Sequence, residues 1–147
     1  MSATPLNIQE FNTITGLIFA QLHKAFPGLE NIDRAGIAKA MGVAGDDWSK
    51  HKLPSGRSFD EVLAYTIGWL KDEQYIRGYD ARPSQNVVLT TKGLAATNAV
   101  PSGLKESLGT ELRKAVEEGL TSKFDLSRIG DLIGGIFGGF TKSIGSG

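Results

Sequence analysis

Between Ser58 and Pro101 the spacing of the apolar residues changes twice, and this restricts the fold more than any other feature of the chain. Phe59, Val62, Leu63, Thr66, Ile67, Trp69 and Leu70 recur at helical intervals. At about 100° per residue they fall on one broad face. Asp60, Glu61, Ala64, Tyr65, Gly68, Lys71 and Asp72 take the other side. Ser58 and Glu61 have the form of a capping box, in which a hydroxyl accepts a backbone bond and a carboxylate returns one. The period then shortens. YIRGYDA (75–81) and NVVLTT (86–91) are short β-prone segments joined by Arg82-Pro83-Ser84-Gln85, which suits a hairpin. Thr91 next caps a short helix over KGLAATNAV, ended by Pro101.

Two helices precede this region. Asn7-Ile8-Gln9-Glu10 has capping-box form, and Phe11, Ile14, Leu17, Ile18, Leu22 and Phe26 follow at helical spacing until Pro27-Gly28. Asp33 caps a second, short helix through Met41, with Ile37 and Met41 inward. Residues 43–57, VAGDDWSKHKLPSGR, have no period and read as a loop. Beyond Pro101, Leu104, Leu108, Leu112, Val116 and Leu120 step by four along a further helix, weakened by Gly109 and Gly119.

Three helices and a hairpin, with the stretch WLKDEQYIRGYDARPSQNVVLTTKGLAATNA, resemble the winged helix-turn-helix superfamily over about residues 8–100. The expected fold class is therefore mainly α with a small β-hairpin: a winged-helix-like domain at 1–100 and a helical extension at 101–147. The resemblance implies a non-enzymatic DNA-binding regulator, its third helix in the major groove and its wing on the backbone or minor groove. Lys50, Lys52 and Arg57 in the loop, and Arg77 and Arg82 on the wing, would then meet phosphates of double-stranded DNA. Tyr65 and Lys71 would stand nearest the bases.

The sequence departs from that family twice. Its second and third helices are usually joined by a tight turn, whereas here the connection spans 43–57. The outer face of the third helix carries Asp60, Glu61 and Asp72 against Lys71, and phosphates favour the opposite balance. The alternative is an interaction or assembly module that has lost DNA binding. Ala64 and Gly68 would then form a smooth, acid-edged face for a partner helix.

Catalysis and cofactors find no support. Sixteen Lys and Arg balance sixteen Asp and Glu, so any attraction to nucleic acid or anionic lipid must come from a local patch. There is no cysteine, and neither His23 nor His51 has a carboxylate at ligand spacing, so no metal site is expected. PSGRS and VPSGL are not nucleophile elbows, and the tail glycines match no phosphate-binding loop. Residues 1–10 lack the pattern of a secretory signal, and no apolar run suits a membrane span, so a cytoplasmic protein is expected.

The tail contains LIGGIFGGF (132–140). On a helical wheel Leu126, Ile129, Leu132, Ile133, Ile136, Phe137, Phe140 and Ile144 share one side, and Gly130, Gly134 and Gly138 have the spacing that permits close helix contact. Glycines 130, 134, 135, 138 and 139 cost such a helix about 4–5 kcal/mol relative to alanine. Burying its large side chains supplies roughly 9–18 kcal/mol before ordering entropy is deducted. The helix therefore needs a partner surface: its own domain, or another chain in a homo-oligomer met through Ile129, Ile133, Ile136, Phe137 and Phe140. Peripheral membrane contact is the weaker alternative, because the polar side is not rich in Lys or Arg.

Overall fold

The computed structural model describes residues 4–43, 45–101, 103–121 and 126–146, with side chains described at all of these except 118–121, 126 and 138–146. Its elements are α1 (Leu6–Ala25), α2 (Arg34–Ala40), a 3-10 turn (Trp48–Lys50), α3 (Phe59–Asp72), β1 (Ile76–Gly78), β2 (Val87–Leu89), α4 (Thr91–Asn98), α5 (Leu108–Thr121) and α6 (Leu126–Ser146). The chain is mainly helical with one small antiparallel hairpin, as its periodicities require. The register pairs Ile76 with Leu89, Arg77 with Val88 and Gly78 with Val87. An isolated antiparallel bridge flanks the other edge of β2, where Glu30 and Val87 exchange backbone hydrogen bonds of 2.9 and 2.8 Å.

α1 is the central element. Residues 12–20 are buried without interruption, so the helix is enclosed on all sides rather than along one stripe. α5 and α6 cover most of it, and α3, β2, α4 and α2 close the remainder. α6 runs antiparallel to α1: Ile129 and Ile133 meet Gly16, Gly134 faces Asn12, and Phe137 reaches Phe11. Gly16 sets the closeness of this packing, whereas Gly130 and Gly134 of α6 leave room for ordinary contact. A β-carbon on Gly130 would lie 3.4 Å from Thr13 Oγ1, and one on Gly134 would lie 3.4 Å from Asn12 Nδ2. One on Gly16 would collide with Ile129 Cγ2.

The terminal helix packs on its own domain, one of the two surfaces expected for it. Ile129 and Ile133 are fully buried there and Leu132 nearly so, so these side chains are enclosed within the chain itself. Ile136 and Phe137 are half-buried against the same core, and the side chain of Phe140 lies outside the described residues. The core is continuous from Ile14 to Ile133, so no break in packing falls near residue 100.

The helix starts differ in detail from their sequence signatures. Ser58 accepts from the Glu61 amide at 3.3 Å, but the Glu61 carboxylate turns to Arg57 rather than back to Ser58. Thr90, not Thr91, caps α4, accepting from the Gly93 amide at 3.1 Å. The expected box at Asn7–Glu10 does not form, since α1 begins at Leu6 without a side-chain cap. Glu10 is buried instead and accepts from the Ser55 amide at 2.9 Å and from the Ser55 hydroxyl. Those two bonds fasten the loop before α3 onto the first turns of α1. Leu104 stands ahead of α5, exposed, rather than continuing its stripe.

Candidate interaction surface

α3 buries Phe59, Val62, Leu63, Thr66, Ile67 and Leu70, and the opposite strip faces solvent. Along that strip lie Ala64, Tyr65, Gly68 and Trp69. Tyr65 is 62% exposed and Trp69 40%, although Trp69 shares the apolar arc in the sequence. A β-carbon on Gly68 would meet nothing within 4 Å, so the helix backbone there is open to an approaching surface. Carboxylates border the strip at both ends: Asp60 and Glu61 in the first turn, Asp72 and Glu73 at the last.

The cations expected to contact phosphate divide into two groups. Lys50, Lys52 and Arg57 precede α3, and all three are exposed. Arg57 is paired with Glu61 at 3.2 Å and lies over the Tyr65 ring, 5.6 Å from its centre. Asp60 is paired with Arg34. Lys71, Arg77 and Arg82 gather at the other end, about 20 Å away along the helix. Lys71 is half-buried and donates to the Pro83 carbonyl at 2.7 Å, fastening the hairpin turn to the end of α3. Arg77 lies over Tyr79 at 5.3 Å.

Arg82 is committed to its own turn. Its guanidinium donates to both carboxylate oxygens of Asp80, at 3.1 and 2.9 Å, and Asn86 Nδ2 adds a bond of 3.2 Å. The Arg82 side-chain bonds, then its backbone bond, hold the Asp80 carboxyl well below the usual range, and the guanidinium is raised in turn. The candidate DNA-contacting cations thus fall into two groups, before the start of α3 and around its end, with Tyr65 beside Arg57.

No protein-family model matches the sequence, and no curated protein and no solved structure matches the chain. Among the described residues no group of three His, Asp or Glu could hold a metal ion. No helix among them is long and apolar enough to cross a membrane.

One feature beside α3 left no local trace in the sequence. Phe11, Trp69, Tyr75 and Phe137 converge from α1, α3, the turn before β1 and α6. Trp69 stacks on Tyr75 at 5.9 Å and receives Phe11 edge-on at 5.0 Å, while Phe137 lies 5.4 Å from Tyr75 and 5.9 Å from Trp69. Together with Ile8 and Tyr65, this cluster lines a groove of about 1040 Å³ that opens beside the exposed strip of α3. Leu6 and Ile8, 50% and 43% exposed, extend the apolar surface onto the start of α1. Contiguous apolar surface rimmed by charge is a mark of an interaction site.

Proposed function

We propose that this chain is a non-enzymatic interaction module of winged-helix type, whose α3 strip receives an amphipathic helix from a partner protein. One observation carries the reading. The face that such a fold would present to DNA is apolar along Ala64, Tyr65, Gly68 and Trp69 and acidic at both margins. Phosphate would be repelled there, whereas a helix with an apolar stripe and flanking Lys or Arg is complementary. Open backbone at Gly68 permits close approach, and the two exposed aromatics supply the large, rigid contacts on which interfaces depend.

The test places a photo-crosslinking phenylalanine analogue at position 65, in place of the exposed Tyr65, and at exposed Lys114 as control. A single defined protein should be captured from 65 alone, its crosslink should map to a basic amphipathic helix, and the synthetic helix should bind the purified chain. Ala64→Arg should abolish both capture and binding. Equal capture from the two positions, or binding indifferent to Ala64→Arg, would falsify the reading.

DNA binding is a second reading, favoured by the bond from Lys71 to Pro83 that fastens the hairpin beside the end of α3, as a wing would be. It requires affinity for duplex DNA that falls steeply with salt and weakens when Lys50, Lys52 and Arg77 are replaced by alanine. A mobility-shift series from about 50 to 200 mM salt separates the two readings. Retained duplex with that salt slope supports DNA, and its absence supports the protein partner.

A further inference from the structure

A second groove, about 890 Å³, lies between α4 and α6 and adjoins the first at Tyr75, Lys92 and Phe137, which line both. It exists because its walls are built from small residues. α4 and its C-cap contribute Ala95, Ala96 and Ala99, and a β-carbon on Gly135 of α6 would meet nothing within 4 Å. Leu132 and Ile136 form the apolar floor. Tyr75, Lys92 and Phe137 stand at one end, while Val100, Leu104 and Arg128 stand at the other. Val100 is 55% exposed and Leu104 39%, so apolar surface continues out of that far end. The distance from Lys92 to Val100 along α4 and its exit is about 12 Å at helical rise, which accommodates an extended alkyl chain.

The charges give the groove a direction. The Lys92 ammonium is held by the Glu73 carbonyl at 2.9 Å and by the Tyr75 ring at 4.4 Å. An ammonium carries three donors, so this bond leaves others for a ligand. At the opposite end Arg128 is paired with Glu111 at 3.0 Å, and the Asp131 carboxylate is exposed on the α6 wall. An anionic head is therefore attracted to the Lys92 end and repelled from the Asp131 end.

The geometry points to a binding site for a single-chain fatty carboxylate, its head on Lys92 and its chain laid over Ala96, Ala99, Leu132 and Ile136 toward Val100. The chain would cover apolar surface that now faces solvent, and the carboxylate would gain a charge-assisted hydrogen bond from a pre-positioned donor. A largely apolar groove of this volume with one fixed polar anchor has the character of a small-molecule site.

Calorimetric titration of the intact chain with dodecanoate, below its micelle concentration, tests the assignment. Dodecanoate should bind saturably at one site, and dodecyltrimethylammonium much more weakly. Lys92→Gln, at an exposed position, should weaken dodecanoate about tenfold and leave dodecanol unchanged. Ala99→Phe should exclude all three, with circular dichroism confirming that the helices persist. Equal binding of the cationic and anionic detergents, insensitivity to both substitutions, binding to anionic vesicles alone, or no saturable binding would each overturn the proposal.

Discussion

Gly16 of α1 and Ile129 of α6 approach so closely that no side chain beyond a hydrogen fits between them. Ile133 and Leu112 close the same point, each 3.2 Å from where a β-carbon on Gly16 would lie. Three helices therefore meet at one glycine, which seats α5 and α6 on α1.

Gly16→Val should push α6 off α1. Overpacking of this kind typically costs about 1–3 kcal/mol, and loss of the contacts from Ile129 and Ile133 adds to it. Urea denaturation followed by helical circular dichroism should show a lower midpoint. A variant as stable as the parent would remove α6 from the core as described.

Two other glycines should behave in opposite ways. Gly135 has open space and is exposed, so Gly135→Ala should stabilise α6 by about 0.5–1 kcal/mol through helix propensity. Gly93 of α4 lies against the Tyr75 carbonyl, where a β-carbon would collide with backbone that cannot yield. Gly93→Ala should destabilise despite the same gain in propensity. Thermal melts of the two variants should move in opposite directions.

Glu10 and Ser55 join α1 to the loop before α3. Glu10→Ala leaves the partly buried Ser55 amide without its acceptor, a loss of about 1–3 kcal/mol. Amide hydrogen exchange around residues 53–57 should accelerate in the variant. Unchanged protection there would show that other contacts hold the loop.

His23 predicts how stability depends on acid. Its ring packs on Gly109 of α5, 2.7 Å from where a β-carbon there would lie, and its Nδ1 is buried with no hydrogen-bond partner among the described residues. Burial, and then the nearby Arg113, lower its pKa from the ordinary 6.5. The folded state therefore favours neutral imidazole, while the unfolded chain takes up a proton more readily as pH falls. This contribution is fully present above about pH 7, shrinks as pH drops below the unfolded value, and is gone below the lowered folded value. Melting temperatures measured from about pH 7.5 to pH 5 should fall more steeply for the parent than for His23→Gln. Parallel curves would show that His23 is not the group responsible.

Much of the architecture was readable locally. The alternation of periods placed the starts of α3, both strands and α4 within a residue, because amphipathic spacing, β-prone runs and Ser, Asp or Thr caps act over a few neighbours, whereas the strands and α4 end sooner than those segments. The exposed strip with Ala64 and Gly68 followed from the same wheel. Local signals misled where a distant group competed for the same atoms. Glu10 has the sequence context of a cap, yet a loop residue at position 55 takes both of its oxygens. The 3-10 turn and the bridge from Glu30 to Val87 carry no periodic signature, and neither was expected.

Helix registers, the hairpin and the need of the terminal helix for cover were written in residue order, since each depends on side chains within a turn or two of one another. Which surface answers that need was settled by packing. The stripe of Asn12, Thr13, Thr15 and Gly16 reads as polar or small in the chain, yet it lies wholly inside once α6 descends on it. Close packing depends on shape at distances that sequence neighbours do not share, so a glycine at position 16 and an isoleucine at 129 define each other only after the chain has folded.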